Sequence, residues 1–455
     1  MIPQFSAIGR RTVVHNGLLN MLEYAAQPAL LLLAAPILLR KWGLAEYGVW
    51  MLITATISAV ANLAAGFADS TVKYVSTYRG TGERERMTGV LRATLLINLA
   101  LGTVLATAVW TFAPAMVRAV HLDIGLSSSA ILALRIASPI LLLRSMESVL
   151  LASIRAFERY APAVVLSTTL RVTTCASTIT VAVTSHGIVA ATASTLALVI
   201  VGTLAEFVVV RRIVGPLNPK RLVTSGELSE VVNFASFGGL QGFAGLLFNH
   251  ADRWAIGAML GASAVAYYSV CVQIAQPVHA LISAGLNVIF PHLSAKTATT
   301  PAAHLHRLVS RILRLNLCLA VLVASLVGLS AMPFMSWLLG ADFSQRAWPP
   351  LAILIIAFAL LAGNITGHFT LLAFGDAGYV CAVNLSAAAL SFALLFALAP
   401  PFGLVGASIS RLAYGPVTWL VYARLRQRLA ARESLTPALT HPHPGTISDA
   451  GQVAL

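Results

Sequence analysis

Acidic residues are scarce in this chain, 16 Asp and Glu in 455 residues against 30 Lys and Arg, and charged residues of both signs make up only 10%. An ordinary soluble domain carries about a quarter charged residues, so that class is excluded. Cysteine is nearly as scarce. Cys175, Cys271, Cys318 and Cys381 sit singly inside apolar runs without any ligand spacing, so neither a disulfide framework nor a metal centre is expected. The few acids in apolar surroundings form no paired-carboxylate arrangement for general acid–base work, which speaks against an enzyme. What the chain has in abundance is hydrocarbon: 58% of its residues are hydrophobic and the mean hydropathy is +0.83. These values predict an all-α polytopic membrane protein. The formal net charge of +14 then belongs to short loops between spans, where basic residues set orientation, and nucleic acid is not an expected partner.

About twelve runs meet the roughly 20-residue requirement for crossing a bilayer. They lie near 17–39, 48–68, 93–113, 129–151, 162–184, 187–210, 231–250, 265–289, 312–332, 349–373, 378–399 and 403–423. The first follows Arg10 and Arg11, is too long for a signal-peptide core and lacks a small-residue cleavage site, so it reads as a transmembrane helix. With the N-terminus in the cytoplasm, most basic residues fall on that side. The outer side receives Arg40, Lys41, Arg118, Arg253 and Arg346, and both termini are expected to be cytoplasmic.

The chain also resembles itself. HGIVAATAS at 186–194 matches FGLVGASIS at 402–410, and AFERYAPAVVLS at 156–167 matches AFGDAGYVCAVNLS at 373–386. Pro114-Ala-Met matches Pro333-Phe-Met, and GLAEYG at 43–48 echoes GASAVAYY at 261–268. The offsets nearly agree, as a diverged duplication requires. Six spans per repeat is an even number, so the two halves share an orientation and are related by a parallel repeat. The expected organisation is a six-helix lobe at 1–210, a cytoplasmic linker at 211–230, a second six-helix lobe at 231–430 and a disordered tail at 431–455.

Charges inside the spans mark candidate functional positions, since each costs at least about 2.5 kcal/mol at the helix centre. The stretch 130–171 holds Arg135, Arg144, Glu147 and Arg171, and the last span holds Arg411. At 1.5 Å per residue, Arg171 and Arg411 lie roughly 15 and 12 Å into their spans. Neither has a partner nearby in sequence, which favours a wet cavity that binds an anion. Arg144 and Glu147 are three apart, a spacing that fits a structural ion pair as well as a site. Arg135 lies nearer the outer end, where it can snorkel, and Arg253 is expected at the outer mouth beside Asp252. Glu147, Glu23 and Glu206 are candidate carboxylates for coupling to an H+ or Na+ gradient, because burial shifts such groups into a useful range.

From Asn249 to Pro291 the chain reads NHADRWAIGAMLGASAVAYYSVCVQIAQPVHALISAGLNVIFP. Its Asp252-Arg253, Ile256-Gly257, Leu260-Gly261, Tyr267, Pro277 and Phe290-Pro291 resemble the polysaccharide-export branch of the multidrug/oligosaccharidyl-lipid/polysaccharide flippase superfamily. The likeness continues through KWGLAEYG at 41–48, FERY at 157–160, WLLGADF at 337–343 and LLAFGDAGY at 371–379. The resemblance implies an O-antigen or exopolysaccharide flippase of the bacterial inner membrane, with two lobes around a central cavity. Its cargo would be a polyprenyl-pyrophosphate-linked glycan, its surroundings membrane lipids, and its associates a polysaccharide polymerase and glycosyltransferases. On that reading Arg171, Arg411, Arg144, Arg135 and Arg253 are candidates for the pyrophosphate. Gln241, Asn249, Gln273, Gln276, Asn364 and His368 are candidates for sugar hydroxyls, with interhelical hydrogen bonding as the alternative use. No cofactor is expected beyond the ion gradient. A multidrug or organic-ion antiporter of the same superfamily is the nearest rival, and a membrane polysaccharide polymerase or ligase the next.

Overall fold

The computed structural model describes residues 10–215, 223–287 and 302–440, with side chains from Pro28 to Ala431 apart from a few positions. Every regular element among them is helical, as it must be where no water satisfies the backbone. The first half of the chain gives α1 (Arg10–Thr81), α2 (Arg84–Ala119), α3 (Ile124–Ala156), α4 (Tyr160–Val183) and α5 (Ile188–Val214). The second gives α6 (Ser225–Leu246), a π turn (Leu247–Ala251), α7 (Asp252–Leu260), α8 (Ala262–Asn287), α9 (Ala302–Leu339) and α10 (Ala341–Ala373). It ends in α11 (Ala377–Leu412), α12 (Tyr414–Thr418) and α13 (Leu420–Thr440).

Among the described residues, 9 helices are long and apolar enough to span a membrane, or 10 when the pair on either side of a 47° bend before Gly238 counts as one. Two of them are double. Helix α1 breaks at Gly43 (φ 75°, ψ 177°), and α11 breaks at Gly403 (φ 58°, ψ −139°), backbone values that suit glycine and stop a helix without a loop. Dividing both at these glycines yields the two sets of six spans that the hydropathy predicts.

The duplication is visible in the backbone. Gly43 and Gly261, His121 and Gly340, Glu158 and Gly375, and Ser185 and Gly403 all have positive φ, and each pair is 217–219 residues apart. Buried Asn98 and Asn316, 218 apart, mark equivalent helix pairs. Ser145 Oγ on α3 donates to the Asn98 carbonyl of α2 at 2.8 Å, and Asn316 Nδ2 on α9 donates to Thr366 Oγ1 of α10 at 3.0 Å. Both contacts hold a close antiparallel pair together by a buried polar group.

Packing divides the molecule into ends. Around Gly43, Gly261 and Gly403 the lobes share one core, in which Leu38, Tyr47 and Met51 pack with Tyr268, Val272, Leu351 and Phe358. At the basic end the cores are separate. Val75, Leu91, Val149 and Ile154 belong to the first lobe, and Leu305, Leu371, Val380 and Leu425 to the second. The lobes meet there along a seam where α6 packs against α1 and α2, with Val231 of α6 inside the first-lobe core. A Cβ on Gly238 would stand 2.6 Å from Gly66 Cα, and one on Gly242 would stand 2.0 Å from the Asn62 carbonyl oxygen. Tyr78 Oη donates to Glu230 at 2.5 Å where the seam leaves the span.

Half of the expected linker, 211–214 and 225–230, is helix. Helix α5 runs to Val214 and stops at Gly215, and α6 starts from a capping box between Thr224 and Glu227, leaving 216–222 outside the described residues. The expected tail is helical as far as Thr440, because α13 simply propagates through the good helix formers after Leu425; residues 441–455 lie outside the described residues.

Candidate functional site

Each lobe buries a cluster of charge. In the first, Arg144 Nη1 donates to both carboxylate oxygens of Glu147, at 2.8 and 2.6 Å, so the i,i+3 spacing on α3 produces the ion pair. Glu206 of α5 faces this pair together with Arg155. It is 1% exposed, and neither of its oxygens has a hydrogen-bond partner among the described residues. Two of the three carboxylates proposed for ion coupling therefore meet, while the side chain of Glu23 lies outside the described residues.

In the second lobe, Asp252 opens α7 at 6% exposure. Its carboxylate accepts the backbone N–H of Arg253 and the hydroxyl of Tyr268, both at 2.8 Å, and stands 3.8 Å from Arg411. Arg411, 3% exposed, donates to the Phe248 carbonyl and lies 4.1 Å from the Phe248 ring centroid and 5.2 Å from that of Phe358. The π turn explains the carbonyl: an i→i+5 ladder shifts the backbone bonding by one residue and leaves an acceptor for a side chain.

Three arginine expectations need correction or refinement. Arg411 is not unpartnered, since Asp252 reaches it from a distant part of the sequence. Arg253 is not at the outer mouth. Helix α7 continues to Leu260, about 10 Å further along, so Arg253 is buried within the span, with its Nε unpaired among the described residues. Arg171 is half-buried on α4 and engaged rather than free. Arg135 lies 5.6 Å from the ring of exposed Trp110, with its Nε buried.

Beside the second cluster lies a cavity of about 260 Å³. Gln241, Phe248 and Asn249 line it from α6 and the π turn, and Gln276, His279 and Ser283 from α8. Phe358, Asn364, His368 and Phe369 contribute from α10, Asn384 from α11 and Tyr414 from α12. Five of the six polar residues singled out in the sequence thus gather in one place. Gln273 does not. It lies on the face of α8 turned to α1, with Nε2 3.9 Å from Met51 Sδ, inside the shared core. The sequence reading missed His279 and Asn384. His279 follows Gln276 by one helical step, and Asn384 sits in the repeated segment 373–386, so both carried a signal. Among the described residues no carboxylate and no Lys or Arg lines the cavity; Arg411 stands behind its Phe248 and Phe358 wall.

Residues 13–296 match the family described as polysaccharide biosynthesis protein. The chain belongs to that family. No curated protein matches it in sequence. Among solved structures, this family member is similar to an inward-facing multidrug resistance MATE family transporter of the MOP superfamily. The identity is 14% and the TM-score 0.74, over 91% of this chain and 99% of that one. An outward-facing conformation of such a transporter gives 14% and 0.69, over 93% and 96%. A MOP superfamily transporter from Pyrococcus furiosus gives 12% and 0.62, over 93% and 96%. These likenesses establish the fold of the polysaccharide biosynthesis protein and leave its chemistry to its own residues.

Proposed function

We propose that the chain is a flippase that carries polyprenyl-pyrophosphate-linked oligosaccharides from the cytoplasmic to the outer leaflet of a bacterial inner membrane, by alternating access. The observation that carries this reading is the second-lobe cavity, whose amides, imidazoles and aromatic rings suit a hydroxyl-rich head group. The separate cores at the basic end support a cycle in which that end opens, and the excess of Lys and Arg there supports a cytoplasmic position for it. Only the head of such a lipid needs help across hydrocarbon, because its tail is already at home there. Export of organic cations, the rival activity, calls for acids in the cavity, and none lines it among the described residues. Glu147 and Glu206 form the place where a driving H+ or Na+ would act, since two buried carboxylates facing one another hold a cation in common. The polymerase and glycosyltransferases that make and use the glycan are the natural associates.

The test is leaflet-resolved measurement of polyprenyl-pyrophosphate-linked glycan in cells lacking the protein. Accumulation in the cytoplasmic leaflet with loss of surface polysaccharide is the expected result. Glycan that still reaches the outer leaflet, unpolymerised, would instead favour a polymerase.

A further inference from the structure

The second-lobe cavity combines amides with aromatic rings. Gln276, Asn364 and Asn384 each offer a donor and an acceptor. Asn364 is 4% exposed, and its Oδ1 has no partner among the described residues. A buried acceptor is ordinarily paired, so this one awaits a donor from a ligand. Phe248 and Tyr414, with centroids 4.1 Å apart and ring planes inclined at 37°, give the same cavity an aromatic wall. A pyranose matches both features: hydroxyls around its rim meet amides, and the C–H groups of its face lie on aromatic carbon. At about 260 Å³ the cavity is at the small end of ligand sites, suited to one sugar ring and too small for a whole repeat unit.

Charge behind the wall narrows the sugar. Arg253 and Arg411 face the carboxylate of Asp252, so among the described residues the cluster holds two guanidiniums against one acid. Guanidinium keeps its charge when buried. Arg411 lies directly against Phe248 and Phe358, which line the cavity, and through such a low-dielectric wall its field reaches a ligand with little screening. An ammonium group in the cavity would meet this field with no carboxylate to offset it, whereas a carboxylate would complete the charge balance.

We propose that this cavity is a subsite for one pyranose of the lipid-linked glycan, and that it takes a uronic acid or a neutral hexose in preference to an amino sugar. The proposal rests on the flippase reading and names the sugar class its second lobe accepts.

Binding of methyl glucuronoside, methyl glucoside and methyl glucosaminide to the full chain in lipid nanodiscs, followed by saturation-transfer NMR, provides the test. The expected order is glucuronoside, glucoside, glucosaminide, with about tenfold between first and last. This order is read on the unaltered protein, so it does not depend on any variant folding. Asn364→Leu is expected to weaken all three by about tenfold, as a lost buried hydrogen bond does. Arg411→Met is expected to bring the glucuronoside down to the glucoside without changing the latter. Equal or tighter binding of the glucosaminide, or unchanged binding by Asn364→Leu, overturns the subsite and leaves the flippase reading intact. An unchanged leaflet distribution of glycan in cells lacking the protein overturns the flippase reading itself, whatever the glycosides do.

Discussion

The two lobes repeat one frame and carry opposite chemistry. Helix breaks recur at Gly43 and Gly261 and at Ser185 and Gly403, and the packing asparagines recur at Asn98 and Asn316. The charges do not recur. With an offset of 217 or 218 residues, Glu147 of the first lobe corresponds to Asn364 of the second, and Glu206 to Arg424. The first lobe sets Glu147 and Glu206 against Arg144, with Arg155 and Asp69 close by. The second sets Arg253 and Arg411 against Asp252. A duplicated frame is held by backbone geometry at helix ends, which tolerates few residue types. Charge inside the bundle is held only by its partners, and partners can change together. The lobes have in this way come to bury clusters with different balances of charge.

The largest effect that breaks the comparison is expected at Asp252. Asp252→Ala leaves two buried guanidiniums facing each other, and loss of a buried partner costs about 3–5 kcal/mol. Arg144→Ala leaves Glu147 and Glu206 facing each other, but a carboxylic acid can shed its charge by taking a proton, whereas guanidinium cannot. Thermal unfolding in detergent should therefore show the larger drop for Asp252→Ala. Adding Arg411→Met should restore much of the loss, because the remaining charges fall from two to one. Equal drops for the two single variants, with no recovery in the double, would show that packing rather than charge governs both clusters.

Transport separates the lobes next. Glu206→Gln removes one of the two facing carboxylates without changing side-chain size, and export by this variant should lose its dependence on the ion gradient. Asn364→Leu should leave the gradient dependence in place and reduce export roughly tenfold at limiting cargo, by weakening binding. Leaflet-resolved glycan measured with and without an ionophore distinguishes the two. If Glu206→Gln responds to the ionophore as the unaltered protein does, the first-lobe carboxylates are not the coupling site.

The frame was legible in the sequence because its determinants are local. Apolar length fixed the spans, and the recurrence of short segments at a common offset fixed the repeat. The amide-lined cavity was half legible, since Gln241, Asn249, Gln276, Asn364 and His368 stand out as polar groups in apolar runs. Their gathering was not legible, and neither was the exclusion of Gln273, because Gln273 and Gln276 are neighbours by spacing and only the packing of α8 against α1 draws Gln273 into the shared core. The pairing of Asp252 with Arg411 joins positions far apart in sequence and needs the three-dimensional fold. Asp252 accepts from the Arg253 backbone with one oxygen and turns the other to Tyr268 and Arg411.

The seam between the lobes gives a sharper contrast at smaller scale. Gly242→Ala drives a Cβ to 2.0 Å from the Asn62 carbonyl oxygen, an overlap that forces α1 and α6 apart at a cost of about 1–3 kcal/mol. Gly239→Ala meets nothing within 4 Å and lies in the same helix. It should be neutral or slightly stabilising, since it lowers the freedom of the unfolded chain. Comparable melting temperatures for the two variants would mean that the seam gives way easily.

The last two effects should be equal, and their equality is the prediction. Gly43 has φ 75° and Gly261 φ 83°, and a Cβ at either meets nothing within 4 Å. Alanine there is penalised by backbone conformation alone, about 1–3 kcal/mol, because positive φ with ψ near 180° is a region essentially restricted to glycine. The helix break is the same on both sides of the duplication, so Gly43→Ala and Gly261→Ala should lower stability by the same amount within error. The double variant should show the sum, because neither substituted side chain touches a neighbour. A clear difference between the two would mean that the breaks, like the charges, have diverged, and that one lobe's turn carries strain that the other's does not.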